Sequence, residues 1–211
     1  GRIRIGFATA LRLLRDGAKV IVITRYPYDA LDRYKKEPDY ESFKERLVIY
    51  GFNLMWVNRM DELLQFIKEQ SPEGLDILVN NAAQTIKKST GYYQELQRRE
   101  QEMRLFYANN DCGLITELEQ DNRENTMLMP TQQSLSFREE SPMFNSWVAK
   151  AEDISVQEML EVQLVNVTMP FLLVGQLKQW MKKSVHKNKV LGTLLLFNYL
   201  LILCSVSGSK K

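Results

Sequence analysis

The feature that most constrains the fold is a short run, Lys19–Thr24, whose four central residues are all β-branched and apolar. A strand with apolar side chains on both sides is typical of a parallel sheet covered by helices on both faces. Apolar residues at helical spacing precede it from Phe7 to Ala18, and Gly17 is predicted to end that helix in a left-handed conformation. We therefore expect a helix that leads directly into a buried strand.

The same alternation of helix and strand continues for the next sixty residues. Leu47–Leu54 and Leu75–Val79 predict two further strands, and Asp61–Gln70 predicts an amphipathic helix between them. A break at Ser71–Gly74 separates that helix from the third strand. Alternating helices and strands with short connections predict an α/β fold, a Rossmann-like, doubly wound parallel sheet.

The second half of the chain interrupts this pattern. Residues 85–150 are rich in charged and amide side chains and are too many for a plain loop, so we expect an insertion with one helix near Tyr92–Ala108. Order returns at Ser155–Glu158, a capping box that opens another helix. Pro170 lies inside that helix and is expected to kink it.

Both ends of the sequence are unusual. The chain begins abruptly at a glycine, and Val190–Val206 is almost wholly apolar with lysines on both sides. We expect one incomplete domain over 1–189 and a tail over 190–211 that is either strand-like or aberrant. The apolar run is at the short limit for a membrane span and contains Asn198, so we favour a strand over a membrane anchor.

Composition excludes several classes of function. The 28 basic and 26 acidic residues give a net charge of +2, which provides no field for nucleic acid. Cys112 and Cys204 are far apart and have no partners at metal-ligand spacing. We expect a cytoplasmic protein without a metal site, and we interpret the single histidine, His186, as a surface residue.

Three groups of residues suggest a dinucleotide site. Gly1 and Gly6 lie before the first helix, where a glycine-rich turn lets backbone N–H groups approach a pyrophosphate. Arg25 follows the first strand, where a cation suits the 2′-phosphate of NADP and an acid would suit NAD. Asn80–Ala83 end another apolar strand, the place where open α/β sheets bind ligands. The plainer interpretations are a flexible chain end for the two glycines, a solvated cation for Arg25 and an ordinary turn for Asn80–Ala83.

In order and spacing these residues resemble the short-chain dehydrogenase/reductase family over about residues 1–185. The closest likeness is to a divergent branch with the glycine motif Thr-Gly-Gly-Arg-x-Lys-Ile-Gly. Gly1–Gly6 resembles the end of that motif, with Arg4 where ordinary members have glycine. Asn53–Leu54 resembles the pair that contacts adenine, and Asp76–Ala83 resembles the strand that ends in Asn-Asn-Ala-Gly.

The resemblance implies roles for these residues. Asn166 resembles the helix asparagine of the family's catalytic tetrad, which holds a water in the proton relay. The implied chemistry is hydride transfer between NADP and a small carbonyl or alcohol, in a family whose members usually pair as homo-oligomers. The residues expected to contact the dinucleotide are Gly1, Arg2, Ile5, Gly6, Arg25, Asn53, Leu54, Asn81, Ala82 and Ala83.

The catalytic Tyr-x-x-x-Lys of the family does not follow Asn166. The motif occurs at Tyr40–Lys44, on the adenosine side of the expected sheet, and we interpret it as a chance match. We therefore expect little or no activity from this chain. In the family's sheet the strand before the glycine motif is central, so its absence predicts two unpaired inner edges and poor stability. A non-catalytic module that binds a dinucleotide or a protein, or a membrane-tethered remnant, is the alternative.

Overall fold

A computed structural model describes residues 2–82, 90–108, 115–117, 150, 152, 154–184, 190–193 and 201–205. Within them the chain forms one sheet with helices on both faces. The helices are α1 (Arg4–Arg15), α2 (Pro27–Lys35), α3 (Tyr40–Phe43), α4 (Met60–Gln70), α5 (Thr90–Ala108), α6 (Val156–Gln163) and α7 (Met169–Lys183). The strands are β1 (Lys19–Thr24), β2 (Leu47–Gly51), β3 (Ile77–Asn80), β4 (Ile115–Glu117), β5 (Val190–Thr193) and β6 (Leu201–Ser205).

The strand order confirms the predicted α/β class. The described strands form a sheet in the order β4-β2-β1-β6-β3-β5. β1 pairs in parallel with β2, β2 with β4, and β3 with β5, as the doubly wound fold requires. β6 departs from the prediction because it runs antiparallel to both of its neighbours.

Alternate residues of β1 are buried in two separate cores. Val20 and Val22 pack with residues of α1, α2 and β2 on one face of the sheet. Ile21 and Ile23 pack with α4 and α7 on the other face. Each apolar side chain removed from water contributes about 1.5–3 kcal/mol, so β1 is stabilised from both faces. The absence of polar alternation in this run is thereby explained.

The two inner edges that the sequence left without a partner are paired in the structure. β6 lies between β1 and β3, with Leu201 opposite both Ile23 and Asn80, and Cys204 opposite both Val20 and Ile77. The expectation of unpaired inner edges is therefore wrong. Sequence reasoning missed this because an apolar run of this kind does not reveal which strands it joins or in which direction it runs.

The helix that follows the insertion begins where its capping box predicts. The Ser155 hydroxyl accepts a hydrogen bond from the Glu158 N–H at 3.1 Å, and α6 starts at the next residue, Val156. A π-helical segment, Leu164–Thr168, joins α6 to α7 just before Pro170. A proline removes one backbone donor and crowds the preceding turn, so the predicted distortion occurs at the predicted place.

The continuous helix formed by α6, the π-helical segment and α7 is long and mostly apolar. Over Val156–Lys183 it passes the length and composition test for a membrane span, alone among the helices of the described ranges. This is weak evidence, since core helices of soluble proteins pass the same test. Four of its buried side chains, Met169, Leu173, Leu177 and Met181, lie in the core shared with α4 and β1.

The end of the second strand and the stretch after β1 differ from the sequence prediction. β2 ends at Gly51 rather than at Leu54, because Asn53 forms a turn in which its Oδ1 accepts the Met55 N–H at 3.1 Å. The polar, Tyr-rich stretch after β1 contains helix α2, which was not predicted. Its signal was present in Pro27 at the first helical position and in the buried Leu31 and Tyr34 one turn apart.

Candidate functional site

The carboxyl ends of the parallel strands define the candidate site. β1 and β2 are paired in register up to Thr24 and Gly51, and the Phe52 N–H continues the pairing by donating to the Thr24 carbonyl at 2.9 Å. Arg25 and Asn53 therefore leave the same edge of the sheet from neighbouring strands. Asn81 leaves that edge after β3, on the far side of β6.

The N-terminus of α1 lies at this same edge, because the helix runs back to the start of β1. Its N-cap residue, Ile3, is extended and makes no side-chain capping bond, and the first turn contains no acidic residue. The first-turn N–H groups of such a helix attract an anion. Gly6 is buried in this turn, while Ile5 is 44% exposed. Gly1 lies outside the described residues.

Arg4 occupies the position where the family resemblance places glycine. Its backbone has φ +52°, the left-handed region that glycine adopts without strain. An L-residue there costs roughly 1–2 kcal/mol. Arg4 also lines a surface cleft beside α2 together with Arg2, Ile3, Phe7, Arg33, Lys36 and Glu37. Four of these seven residues are cationic and one is acidic.

Arg2 is held by an acidic residue of α2. Its Nη1 donates to Asp29 Oδ2 at 2.7 Å, and Arg33 donates to the same carboxylate at 2.9 Å. Burial raises the pKa of Asp29, but the hydrogen bonds from Arg33 and Arg2 outweigh it, so the pKa lies below its ordinary value. The Arg2 guanidinium also lies 5.1 Å from the Tyr26 ring centroid. This set of contacts fixes the start of α2 against the start of the chain.

Arg25 lies half-buried between aromatic rings. Its guanidinium carbon is 5.6 Å from the Tyr26 ring centroid and 5.9 Å from that of Tyr93 on α5. Both distances are within the range of a cation–π contact. Arg25 therefore lies at the edge of the sheet, between the end of β1 and the first turn of α2.

The predicted adenine pair lies in the turn after β2. The Asn53 carbonyl accepts the Trp56 N–H at 2.9 Å, while its side-chain oxygen accepts the Met55 N–H. Leu54 is half-buried against the core shared with α4. These turn hydrogen bonds fix the orientation of Asn53. Its side-chain amide nitrogen is the group with which this side chain can donate a hydrogen bond.

The last residue of β3 and the two residues that follow it are almost inaccessible. Asn80, Asn81 and Ala82 are 4%, 1% and 9% exposed, respectively. The Asn80 Nδ2 group has no hydrogen-bond partner within the described part of the chain, and a buried unpaired donor costs about 1–3 kcal/mol. Ala83 lies outside the described residues, so the end of this predicted motif is not placed.

Asn166 lies in the π-helical segment between α6 and α7. The Met169 N–H donates to the Leu164 carbonyl, five residues back, instead of to Val165 as in an α-helix. Pro170 has no N–H with which to reach the Asn166 carbonyl. Single π-turns of this kind are frequent at functional sites. The predicted tetrad residue thus coincides with the local irregularity of the helix.

The chance Tyr-x-x-x-Lys motif lies at the other edge of the sheet. Tyr40 is buried against Phe43, with ring centroids 5.7 Å apart, and Lys44 pairs with Glu41 at 2.7 Å. Both residues precede Leu47, the first residue of β2, so they lie at the edge opposite Arg25 and Asn53. His186 lies outside the described residues.

Sequence reasoning missed one acidic residue at the site. Glu100 on α5 accepts the Tyr28 N–H at 2.6 Å and the Asp29 N–H at 3.0 Å, which places its carboxylate on the first turn of α2. More than seventy residues separate the partners, and no local pattern links them. No group of three or more potential metal ligands occurs in the described ranges.

Two comparisons with known proteins give a match. The family model described as short chain dehydrogenase matches residues 3–110. An uncharacterized protein of Acanthamoeba polyphaga mimivirus is 28% identical over 186 residues, which is 82% of this chain and 38% of the relative. The chain therefore spans well under half the length of the curated relative that it matches.

No solved structure matches the chain significantly. The family assignment therefore depends on the family model, which covers just over half of the 211 residues and includes α1, Arg25, Asn53 and Asn81. Members of that family have a Rossmann-like fold and bind nicotinamide dinucleotides. By this match the chain belongs to the short-chain dehydrogenase family.

Proposed function

We propose that this chain is the dinucleotide-binding part of a cytoplasmic oxidoreductase that prefers NADP to NAD and acts on a small carbonyl or alcohol. The observation that carries the proposal is the position of Arg25. It follows β1 directly, lies at the carboxyl edge of a parallel sheet, and is adjacent to the first turn of α2. A cation at that place suits a 2′-phosphate.

The uncapped N-terminus of α1 supports a pyrophosphate site. Its first-turn N–H groups have no side-chain cap, and Arg2 and Arg4 add positive charge nearby. We assign the backbone of Gly1, Arg2, Ile5 and Gly6 to this contact. Helix N-termini of this kind bind phosphate through their N–H groups and the helix dipole.

The turns after β2 and β3 complete the proposed cleft. Asn53 and Leu54 would contact the adenine, and Asn81, Ala82 and Ala83 would line the cleft further along. The nicotinamide would supply the hydride when bound. The protein's part is to orient the dinucleotide at the edge of the sheet.

We infer that these 211 residues do not carry the family's acid and base. The Tyr-x-x-x-Lys motif at Tyr40–Lys44 lies at the opposite edge of the sheet, and Asn166 can hold a water but cannot protonate a carbonyl. We expect no NADPH oxidation above background with a panel of small aldehydes and ketones. A Tyr40→Phe variant should behave like the wild type. Turnover abolished by that variant would contradict the inference.

The experiment that tests the binding proposal is a fluorescence titration of the purified chain with NADPH and with NADH. We expect tighter binding of NADPH, and a loss of that preference in Arg25→Ala. Arg12→Ala is the matched control, since Arg12 is an exposed arginine on α1 that pairs only locally with Asp16. Equal weakening by both variants would contradict a specific role for Arg25.

A second candidate function, a non-catalytic module that binds a protein partner, is favoured by an apolar surface on α6, the π-helical segment and α7. The exposed apolar side chains that form it are Val156, Met159, Leu160, Val167 and Phe171. Isolated exposed apolar residues are ordinary, but a stripe along one helix is typical of a contact surface. Light scattering of the wild type and of Phe171→Lys tests this. A monomer in both cases, with intact NADPH binding, favours the first function.

A further inference from the structure

Helix α5 packs against α2 and reaches Arg25 through Tyr93. The Tyr107 ring stacks near Tyr28 of α2, with centroids 6.3 Å apart, and the Lys35 ammonium lies 4.4 Å from the centroid of the same ring. These contacts fix the second half of α5 along α2. They bring two further α5 side chains, Tyr93 and Glu100, to the N-terminal end of α2.

Glu100 is bound as an anion at that helix end. α2 has nine residues, its N-cap Tyr26 makes no side-chain capping bond, and Pro27 at the first position has no N–H. The next two N–H groups, those of Tyr28 and Asp29, each donate to one oxygen of the Glu100 carboxylate. The capping anion is thus supplied by a helix distant in sequence, and both available donors of the turn are used.

The same α5 surface reaches Arg25. Tyr93 precedes Glu100 by seven residues, two helical turns, so both side chains project from one face of α5. The Tyr93 ring lies within cation–π range of the Arg25 guanidinium. Arg25 and the first turn of α2 are adjacent in sequence. Helix α5 therefore contacts two groups that could bind a phosphate here, the Arg25 guanidinium and the first-turn N–H groups of α2.

The other charges at this place are already paired. The Asp29 carboxylate takes hydrogen bonds from Arg2 and Arg33, so it does not compete for Arg25. Glu100 is then the negative group that a dianionic phosphate would meet on the α2 N–H groups. A carboxylate and a phosphate cannot both accept from the same two donors, whereas a carboxylate can itself accept a ribose 2′-hydroxyl.

We propose that Glu100 occupies the place of the 2′-phosphate, so that NADP binds by displacing Glu100 from the α2 N–H groups, whereas NAD binds with Glu100 in place. This inference rests on the proposed dinucleotide site and identifies the residue that controls its selectivity. Arg25 provides the attraction for the 2′-phosphate, and Glu100 opposes it. The preference for NADP that we propose is the balance between the two.

The first test compares NADPH and NADH affinities of the wild type with those of Glu100→Gln. The amide keeps a capping oxygen but removes the charge. We expect NADPH to bind about tenfold more tightly, which corresponds to about 1.4 kcal/mol, and NADH to bind no more tightly than before. Glu102→Gln is the control, because it removes the same charge from α5. Glu102, however, pairs with Arg98 on the exposed face of that helix.

A second measurement uses the wild type alone, in case Glu100→Gln does not fold. Amide hydrogen exchange over α5 is followed with adenosine 2′,5′-bisphosphate and with adenosine 5′-monophosphate. We expect faster exchange in α5 only with the 2′-phosphorylated probe. Equal protection of α5 with both probes, or an unchanged affinity ratio in Glu100→Gln, would overturn the inference while the proposed function stands. No binding of either dinucleotide by any variant would overturn both.

Discussion

The charge cluster around Asp29 allows a quantitative prediction about stability. Asp29→Asn keeps the size of the side chain but removes the carboxylate that accepts from Arg2 at 2.7 Å and from Arg33 at 2.9 Å. The Arg2 side chain is only 9% exposed, so it would be left as a buried charge without a counter-charge. Breaking a buried pair in this way costs about 3–5 kcal/mol. We take the lower end, about 3 kcal/mol, because Arg33 is partly solvated.

The assay is thermal unfolding at pH 7, with Asp32→Asn as the matched control on the same helix. For a chain of this size, about 3 kcal/mol lowers the Tm by roughly 6–12 °C. Asp32 pairs with Lys36, whose side chain is 73% exposed, so the control should cost at most about 0.5 kcal/mol. Equal losses in the two variants would refute the argument that burial makes the Asp29 pair strong.

The same variant predicts a pH dependence with a definite sign. The pKa of Asp29 is lowered in the folded protein, because the hydrogen bonds from Arg33 and Arg2 outweigh the opposing effect of burial. A lowered pKa gives stability that is complete above the unfolded value, about 3.9, and is lost as the pH falls through the folded value. The difference between wild type and Asp29→Asn should therefore be largest at neutral pH and narrow below about pH 4.

Four further substitutions test a close backbone approach, a buried hydroxyl and a helix cap. Gly74→Ala should lower the free energy of unfolding by at least about 3 kcal/mol, since a Cβ there would lie 2.5 Å from the Ser184 backbone nitrogen. Gly17→Ala is the control: its φ is also positive, but a Cβ there would have nothing within 4 Å, so the loss should be only about 1–2 kcal/mol. Equal costs would contradict the close approach. Burial raises the pKa of Tyr50 to about 12. The stability that the protonated hydroxyl gives is complete below about pH 10 and is lost as the pH rises through 12. In urea unfolding, the free energy of unfolding of Tyr50→Phe should therefore fall less between these pH values than that of the wild type. Ser155→Ala should cost about 1 kcal/mol, measured by chemical denaturation, and no change would contradict its capping role.

Local signals predicted much of the fold. The apolar run of β1 shows its burial on both faces, and the capping box at Ser155 places the start of α6 to the residue. Pro170 marks the distortion of the helix, because a proline has no backbone N–H and removes an intrahelical hydrogen bond wherever it occurs. Each of these features depends on residues that are close in sequence, which is why the sequence alone reveals them.

Long-range pairing accounts for what the sequence did not reveal. The strand at Leu201–Ser205 inserts between β1 and β3 in an antiparallel direction, although nothing in its composition specifies partner or direction. The contact of Glu100 with the first turn of α2 spans more than seventy residues. At the candidate site, sequence reasoning selected Arg25 through its position after a strand, but it could not detect the Glu100 carboxylate on the first turn of α2.

The central claim is that the carboxyl edge of the sheet binds a nicotinamide dinucleotide. The most direct measurement is the amide hydrogen-exchange footprint of NADPH on the intact chain. The account predicts slower exchange at the N-terminus of α1, at Arg25 and in the turns that contain Asn53 and Asn81, and no slowing on α3 at the opposite edge. A footprint confined to α3, or to the exposed face of α6 and α7, would contradict it.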